Sequence, residues 1–541
     1  MRTVIVGGVA AGMSAATRLR RLDEQAEILV LERGPHVSYA NCGLPYHLGG
    51  VIEDRADLLL QTPESLAARF RIEVRVRHEV LAVDRAARTV TVRDLTDGSL
   101  HHEPYDHLVL SPGARPLVPD LPGVERAHTL RDVPDLDRLA EALAEARTAV
   151  VVGAGFIGVE AAENLRERGL AVTLVERADQ VLPPLDPEMA APLADTLRAG
   201  GVAVELGAEL AALTPDAVRL ADGRVLPADL VLLAIGVRPE TDLARAAGLP
   251  LGPTGAIAVD AACRTVDPAV YAAGDAAEKT DALTGAPTLV PLANLANRHG
   301  RLIADAITGR PVSARPAIGT AVVKVFDRTA AATGWNEKRL RAAGRPFQAV
   351  HLHPGQHAGY YPGASPIALK VLYDPETHAV LGAQAVGADG VDKRIDVLAT
   401  AIAGGLTVRD LADLELAYAP PYGSAKDPVT MVGLIADNLI SGTADTLQWH
   451  ELAAAQAEGA TLVDVRTPAE HAAGSIPGAV NIPVDSLRER AGELPPGDLL
   501  VHCQVGLRGH TAARLLTGLG RRVRNLDGGY ATWSAARPHH P

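Results

Sequence analysis

The chain has 541 residues, 47% hydrophobic and 22% charged, with 51 glycines, a composition that suits a soluble α/β protein of several domains. Its net charge of −13, without a long Lys/Arg run, excludes general attraction to nucleic acid, so an anionic ligand must be gripped by local arginines and helix N-termini. Three cysteines, at 42, 263 and 503, cannot build a disulfide framework or a metal clip. With no apolar run long enough to cross a bilayer and no signal-peptide layout, the expectation is a cytoplasmic protein with reactive thiols, no membrane partner and no metal.

Thr3 to Val6 reads as an apolar strand, followed by Gly7-Gly8-Val9-Ala10-Ala11-Gly12 and a helical pattern through Leu22. A second strand from Ala26 ends at Glu32, twenty residues past Gly12. A glycine turn that opens a helix cradles pyrophosphate with backbone N–H groups, and an acid at the next strand end accepts from ribose hydroxyls. Val9 replaces the middle glycine, so this first motif is the weaker of two. The second runs Gly153-Ala154-Gly155-Phe156-Ile157-Gly158, with Glu176 eighteen residues beyond Gly158. A carboxylate there repels a 2′-phosphate and favours NADH, while Arg177 leaves NADPH open.

Further marks surround these units. Leu108 to Gly113 and Leu232 to Pro239 each read as a strand ending in a small-residue turn, placing Ser111, Gly113 and Gly236 beside a cofactor. Val270 to Asp275 is a strand ending in Gly274-Asp275, an ordinary turn or a ribityl-binding carboxylate. Ser38-Tyr39-Ala40-Asn41-Cys42 puts a thiol just after the first unit; a small buried hydrophobe is the other reading of Cys42.

Together these segments resemble the flavin- and pyridine-nucleotide-dependent disulfide reductases over roughly residues 1–440. The resemblance implies FAD binding by 1–117 and 246–318, NAD binding by 118–245 and a dimerisation domain at 319–440. The implied cofactor contacts are Gly7, Gly8, Ala10, Ala11, Gly12, Glu32, Arg33, Asn41, Ser111, Gly113, Gly153, Gly155, Gly158, Glu176, Gly236, Gly274, Asp275 and Tyr418. Members that use a redox disulfide carry a second cysteine five residues on, where this chain has His47. The one-cysteine branch is left. Its peroxidases and oxidases keep a histidine in the first glycine turn, where Ala10 stands here.

Residues 7–16 and 38–42 resemble the coenzyme A-disulfide reductases, and the implied coenzyme A contacts are Ser14, Arg18, Arg21, Ser38 and Asn41. Arg18, Arg20 and Arg21 offer forked donors to phosphate, or else form a solvated helix face. The segment Asn297 to Arg301, with His299, is similar to a family stretch near flavin and substrate. Tyr360 and Tyr418 match tyrosines that reach the thiol of a second subunit, and Lys426 matches a coenzyme A phosphate ligand; core packing is the bland alternative for the tyrosines. One position departs: Phe70, between Arg69 and Arg71, stands where coenzyme A-disulfide reductases use a lysine.

A linker at 441–446 precedes a new α/β pattern over 447–541. The segment Thr461 to Arg466, read as a buried strand with a polar end, the Gly474-Ser475-Ile476-Pro477-Gly478 turn and the loop Cys503 to Arg508 resemble a rhodanese domain. A thiol on a loop opening a helix meets backbone N–H groups and a positive helix end, which favour a thiolate or persulfide, and Arg508 adds charge. Cys263 has no such setting.

The expected fold is therefore α/β: two Rossmann-like FAD/NAD(P)-binding domains, an α+β dimerisation domain and a C-terminal rhodanese domain. The expected activity is reduction by NADH, through FAD, of persulfide, polysulfide or coenzyme A disulfide at Cys42, coupled to sulfur transfer at Cys503. The expected partners are a second copy of the chain, small thiols and coenzyme A. An NADH oxidase or peroxidase, and a non-catalytic sulfur relay or redox sensor, are the alternatives.

Overall fold

The computed structural model describes residues 1–536; the last five positions of the expected C-terminal domain lie outside the described residues. The chain forms two compact units, Met1–Asp179 with Gly200–Gly319, and Gln180–Ala199 with Thr320 onward.

In the first unit, a five-stranded parallel sheet runs in the order Val270–Ala272, His107–Leu110, Arg2–Val6, Glu27–Glu32, Glu73–Val76. Val4, Ile5, Leu29 and Val30 are almost wholly buried, as expected of parallel strands covered on both faces. Four further parallel strands, Val202–Glu205, Ala171–Val175, Thr148–Val152 and Leu230–Leu233, make the second sheet. In each sheet the first strand lies centrally, so the turn that follows it opens where neighbouring strands diverge. That is where open α/β sheets bind their ligands.

The second unit holds a five-stranded antiparallel sheet, in the order Ala321–Val325, Arg328–Gly334, Val380–Gly387, Ile367–Tyr373, Gln348–Leu352. The helices Val391–Gly404 and Pro428–Ile440 pack Ile395, Leu398, Val429 and Val432 into its core. A parallel sheet follows, ordered Thr446–Leu447, Val523–Leu526, Leu499–His502, Thr461–Asp464, Val480–Asn481. Its Leu499–His502 strand is wholly buried and ends at Cys503.

Segment 180–199 belongs to this second unit although it falls inside the span 118–245. Its helix, Pro187–Ala199, buries Met189, Leu193 and Leu197. Asp186 and Glu188 are buried there too, both paired with the Lys370 ammonium, at 2.8 and 2.5 Å. A hydropathy pattern read along the chain does not show which sheet such a helix covers.

Candidate functional site

Both glycine turns are shaped by neighbouring backbone. Gly7 and Gly153 adopt φ of +99° and +102°, a region that a side chain strains to enter. A Cβ on Gly153 would lie 2.5 Å from the Ala234 carbonyl oxygen. Gly155 differs, because a Cβ there would meet nothing within 4 Å. No contact among the described residues requires a glycine at 155; the bare position leaves room for a ligand to approach the backbone.

The helices that follow, Ala10–Leu22 and Phe156–Glu167, have neither a side-chain cap nor an acid in their first turn. Ala293–Ile307 and Leu507–Gly518 share this. By contrast Val133–Leu143 and Pro428–Ile440 are capped by Asp132 and Asp427. Unsatisfied N–H groups and the positive helix end make the open termini receptive to anions.

Glu32 accepts from the backbone N–H groups of Gly8 (2.8 Å) and Gly34 (2.7 Å), while Glu176 accepts from those of Ala154 (2.7 Å) and Ala178 (2.8 Å). The two acids thus tie their strand ends to the glycine turns in the same way, and each oxygen keeps a second lone pair for a ribose hydroxyl. Ser111 Oγ donates to the carbonyls of Val6 (2.9 Å) and Gly7 (3.2 Å), fixing the first turn. Gly113 and Gly236 sit at φ +78° and +115° by the paired strands Ala114–Pro116 and Val237–Pro239. Gly274, at φ +71°, precedes Asp275, and a Cβ on it would lie 3.5 Å from the Ala11 Cβ. Arg33 is exposed. These groups fit a dinucleotide at each turn.

Cys42 is exposed, which removes the buried-hydrophobe reading. It lies in the short turn Asn41–Gly43, ahead of the helix Leu44–Leu48, with Asn41 Oδ1 3.9 Å from Sγ. Ser38, at φ +49°, anchors this loop by donating its N–H to the Gly8 carbonyl at 2.8 Å. Partial enclosure, then the carboxylates of Glu160 and Asp275, push the Cys42 thiol up. The protein groups alone therefore do not depress it as a nucleophile needs. Sequence reasoning missed Glu160, which accepts from the Tyr46 hydroxyl at 3.0 Å and is itself raised by burial. Its position two residues past Gly158 was the available signal.

In the same unit, Ser14, Thr17, Arg18, Arg21, Asn297, Arg298 and Arg301 line a cavity of about 320 Å³. Arg18 spends donors on Asp305 at 2.7 and 3.1 Å, and Arg21 stands over the Phe70 ring at 6.0 Å. Arg20 does not join them. It is buried and donates to the carbonyls of Phe70, Arg71, Asp23 and Glu24, so its role is to tie down the helix end. His299 lies outside the cavity lining: it is buried, its Nε2 has no hydrogen-bond partner among the described residues, and burial pushes it down to about 4, so it is neutral.

The second unit brings two of the expected residues together. The hydroxyls of Tyr360 and Tyr418 are 2.9 Å apart, and the residues are 75% and 48% exposed, which removes the core-packing reading. Lys426 is exposed on the same loop region. Cys503 is buried, and its Sγ accepts from the Gly506 N–H at 3.2 Å. Arg508 is held by Glu470 through two bonds, 2.6 and 2.9 Å, and that pair holds the Glu470 carboxyl well below the usual range. Beneath the loop, buried Asp464 binds Arg466 (2.8 Å) and His471 (2.8 Å), and Arg466 stacks on Tyr530 at 4.2 Å. Asp464 and Arg466 were legible only as a polar strand end.

Two dinucleotide folds and one exposed thiol define an oxidoreductase, joined to a second domain with its own cysteine loop. Residues 1–300 match the family described as pyridine nucleotide-disulphide oxidoreductase, 320–428 its dimerisation domain and 448–536 the rhodanese-like domain. The coenzyme A disulfide reductase of Staphylococcus aureus (strain JH9) is 36% identical over 437 residues, covering 80% of this chain and 99% of that one. Reduced CoADR-RHD of Bacillus anthracis superposes with a TM-score of 0.97 at 48% identity, covering 99% and 98% of the two chains. The NAD-dependent persulfide reductase of A. fulgidus gives 0.93 at 38%, covering 98% and 100%. The chain belongs to the pyridine nucleotide-disulphide oxidoreductase family and carries a C-terminal rhodanese domain. Among the described residues no helix is long and apolar enough to cross a membrane.

Proposed function

We propose that this chain uses NADH, through FAD, to reduce persulfide, polysulfide or coenzyme A disulfide at Cys42, and that Cys503 transfers sulfane sulfur. The observation that carries this reading is the lone exposed thiol at 42: five residues on is His47, and Cys263 is buried. Relatives named coenzyme A disulfide reductase and NAD-dependent persulfide reductase support it.

On this reading the first glycine turn, with Glu32, Ser111 and Asp275, holds FAD, and the second, with Glu176, holds NADH; NADPH is the second choice, since the Glu176 carboxylate repels its extra phosphate. The arginine-lined cavity takes the nucleotide phosphates of coenzyme A, with Ser38 and Asn41 beside the thiol end. The Cys42 thiolate attacks the inner sulfur of coenzyme A persulfide. The sulfur–sulfur bond breaks, hydrosulfide leaves with the electron pair, and a Cys42–coenzyme A disulfide remains. When bound, flavin and NADH supply the electron pair and proton that return the Cys42 thiolate and free coenzyme A.

In a cytoplasmic homodimer, the Tyr360–Tyr418 pair is offered to the Cys42 of a second copy, with Lys426 toward its coenzyme A. Paired hydroxyls steady developing thiolate charge as other fixed donors do. Cys503 accepts sulfane sulfur as a persulfide, held by the Gly506 N–H and Arg508. The functional segments proposed are 1–117 with 246–318, 118–245, 319–440 and 447–541.

The test is anaerobic NADH oxidation with coenzyme A persulfide and with coenzyme A disulfide, for the native protein and Cys42→Ser. Turnover with either substrate that disappears in Cys42→Ser is expected. Inactivity with both, or a Cys42→Ser protein as active as the native one, sinks the proposal; rapid NADH loss with oxygen alone makes the chain an oxidase instead.

A further inference from the structure

The loop that carries Cys503 rests on the turn from Asp527 to Thr532. The N–H groups of Tyr530 and Ala531 donate to the carbonyls of Cys503 and Gln504, both at 2.9 Å. Gly529 packs so tightly that a Cβ would lie 2.6 Å from the Cys503 carbonyl oxygen and 2.9 Å from the Gly506 nitrogen. The Gly506 N–H is the group that donates to Cys503 Sγ. Whatever fixes this turn therefore fixes the donor that faces the sulfur.

Two histidines of one strand, Gln348–Leu352 and its continuation, fix it. His351 donates its backbone N–H to Asp527 Oδ2 at 2.9 Å, and its ring Nδ1 meets the same oxygen at 2.8 Å. On the other side its Nε2 meets Glu188 Oε1 at 3.0 Å. With both ring nitrogens on carboxylates, both act as donors. His353 Nε2 reaches Thr532 Oγ1 at 2.8 Å, and a Cβ on Gly528 would lie 2.9 Å from the His351 Cβ. Other groups facing this site are Gln448, on Asp527 at 3.1 Å, and Lys370, whose ammonium sits among Asp186, Glu188 and Glu337 at 2.5 to 2.8 Å. That ammonium occupies the point where the three carboxylates converge, which leaves them no role as metal ligands.

We propose that His351 is a positioning residue for the Cys503 thiol, acting through Asp527 and the glycine turn behind the loop. It does not touch the sulfur. Its ring locks Asp527, the lock holds Gly528 and Gly529 in register, and these hold the Gly506 N–H on the sulfur. The inference rests on Cys503 being the sulfur-bearing thiol of this domain, but the thiol can be read without any sulfur donor.

The experiment measures alkylation of the full-length protein by iodoacetamide against pH, resolved by peptide mass, with Cys42 as internal control. His351→Asn keeps an amide donor where Nδ1 stood, and His351→Gln keeps one where Nε2 stood. Expected is a Cys503 profile close to native in His351→Asn and about tenfold slower at neutral pH in His351→Gln, as a less exposed and less stabilised thiolate reacts more slowly. Cys42 should not change. Equal profiles in folded native, Asn and Gln proteins overturn the inference, as does an equal shift in both variants, which marks a general packing role. If both histidine variants fail to fold, His353→Gln and Thr532→Val test the second pin: slower Cys503 alkylation supports the inference, an unchanged rate overturns it. A protein that shows the expected split but transfers no sulfur leaves the positioning intact and overturns the sulfurtransferase reading instead.

Discussion

Tyr46 and Glu160, 114 residues apart in sequence, meet hydroxyl to carboxylate at 3.0 Å and join the helix just after Cys42 to the helix that follows the second glycine turn. Burial raises Glu160, and Glu160 in turn raises the Cys42 thiol. A carboxyl whose folded value lies above its unfolded value favours folding while protonated, and that contribution fades as pH rises through the folded value. Glu160→Gln removes both effects. Expected are a protein more stable at pH 8 than the native one and faster alkylation of Cys42 there. A Cys42 profile that stays put or moves up would show that Glu160 does not control the thiol.

The shared hydrogen bond of Tyr360 and Tyr418 makes their contributions interdependent. The hydrogen bond from the Tyr418 hydroxyl raises the cost of ionising Tyr360. Tyr360→Phe or Tyr418→Phe should lower kcat by about a hundredfold, the low end of losing one fixed donor to a developing anion. The double variant should lose little beyond either single one. Additive losses in steady-state NADH oxidation would mean that the two act separately. Stability should scarcely move, since both side chains are largely exposed.

Two glycines of one motif should respond in opposite ways. Gly153→Ala forces a side chain into φ +102° against the Ala234 carbonyl, a strain of about 1–3 kcal/mol that lowers Tm. Gly155 has an ordinary φ of −75° and open space where a Cβ would stand. Gly155→Ala should therefore keep its Tm and raise the KM for NADH by about tenfold, as a methyl group intrudes where the pyrophosphate approaches. Thermal melts beside NADH titrations separate the two. An unchanged KM for Gly155→Ala would mean that no ligand approaches there.

Much of this arrangement was legible from residue order because local chemistry dictated it. The glycine turns, the acids at the strand ends and the Cys503 loop are short segments whose spacing follows strand and helix geometry. What escaped were the relations made by packing: Tyr46 on Glu160, Arg20 turned inward as a cap, His351 between Glu188 and Asp527. Arg18, Arg20 and Arg21 look alike in the chain. Helical phase decides between them, since Arg20 shares the buried face with Ala16 and Leu19 while Arg18 and Arg21 reach the cavity.

The cavity gives a binding prediction. Arg18 is already engaged by Asp305 with both side chains partly shielded, whereas Arg21 meets only the Phe70 ring among the described residues. Arg21→Ala should raise the KM for coenzyme A substrates by about tenfold, the loss of one phosphate contact, and leave kcat within about twofold. Turnover of a small inorganic polysulfide should not change. If both substrates suffer equally, the cavity is not the coenzyme A subsite.

His351 gives a stability prediction of known sign. Its two carboxylate partners outweigh burial and push it up to about 9, from an ordinary value of 6.5. A histidine raised on folding adds stability that is fully present below its unfolded value and is lost as pH rises through the folded one. The native protein should therefore lose stability between about pH 6.5 and 9, by on the order of 3 kcal/mol if the whole shift is realised. His351→Asn carries no titrating group, so its stability should be lower at pH 6 and nearly flat across the same window. Denaturant unfolding at several pH values reads this directly. The 2.5 Å and 2.8 Å bonds of Lys370 to Glu188 and Asp186 persist over this range, because these partners hold Lys370 above its ordinary value and Glu188 below its own. A native protein as stable at pH 9 as at pH 6 would mean that His351 is neutral in the fold, one of its two carboxylates carrying the proton instead.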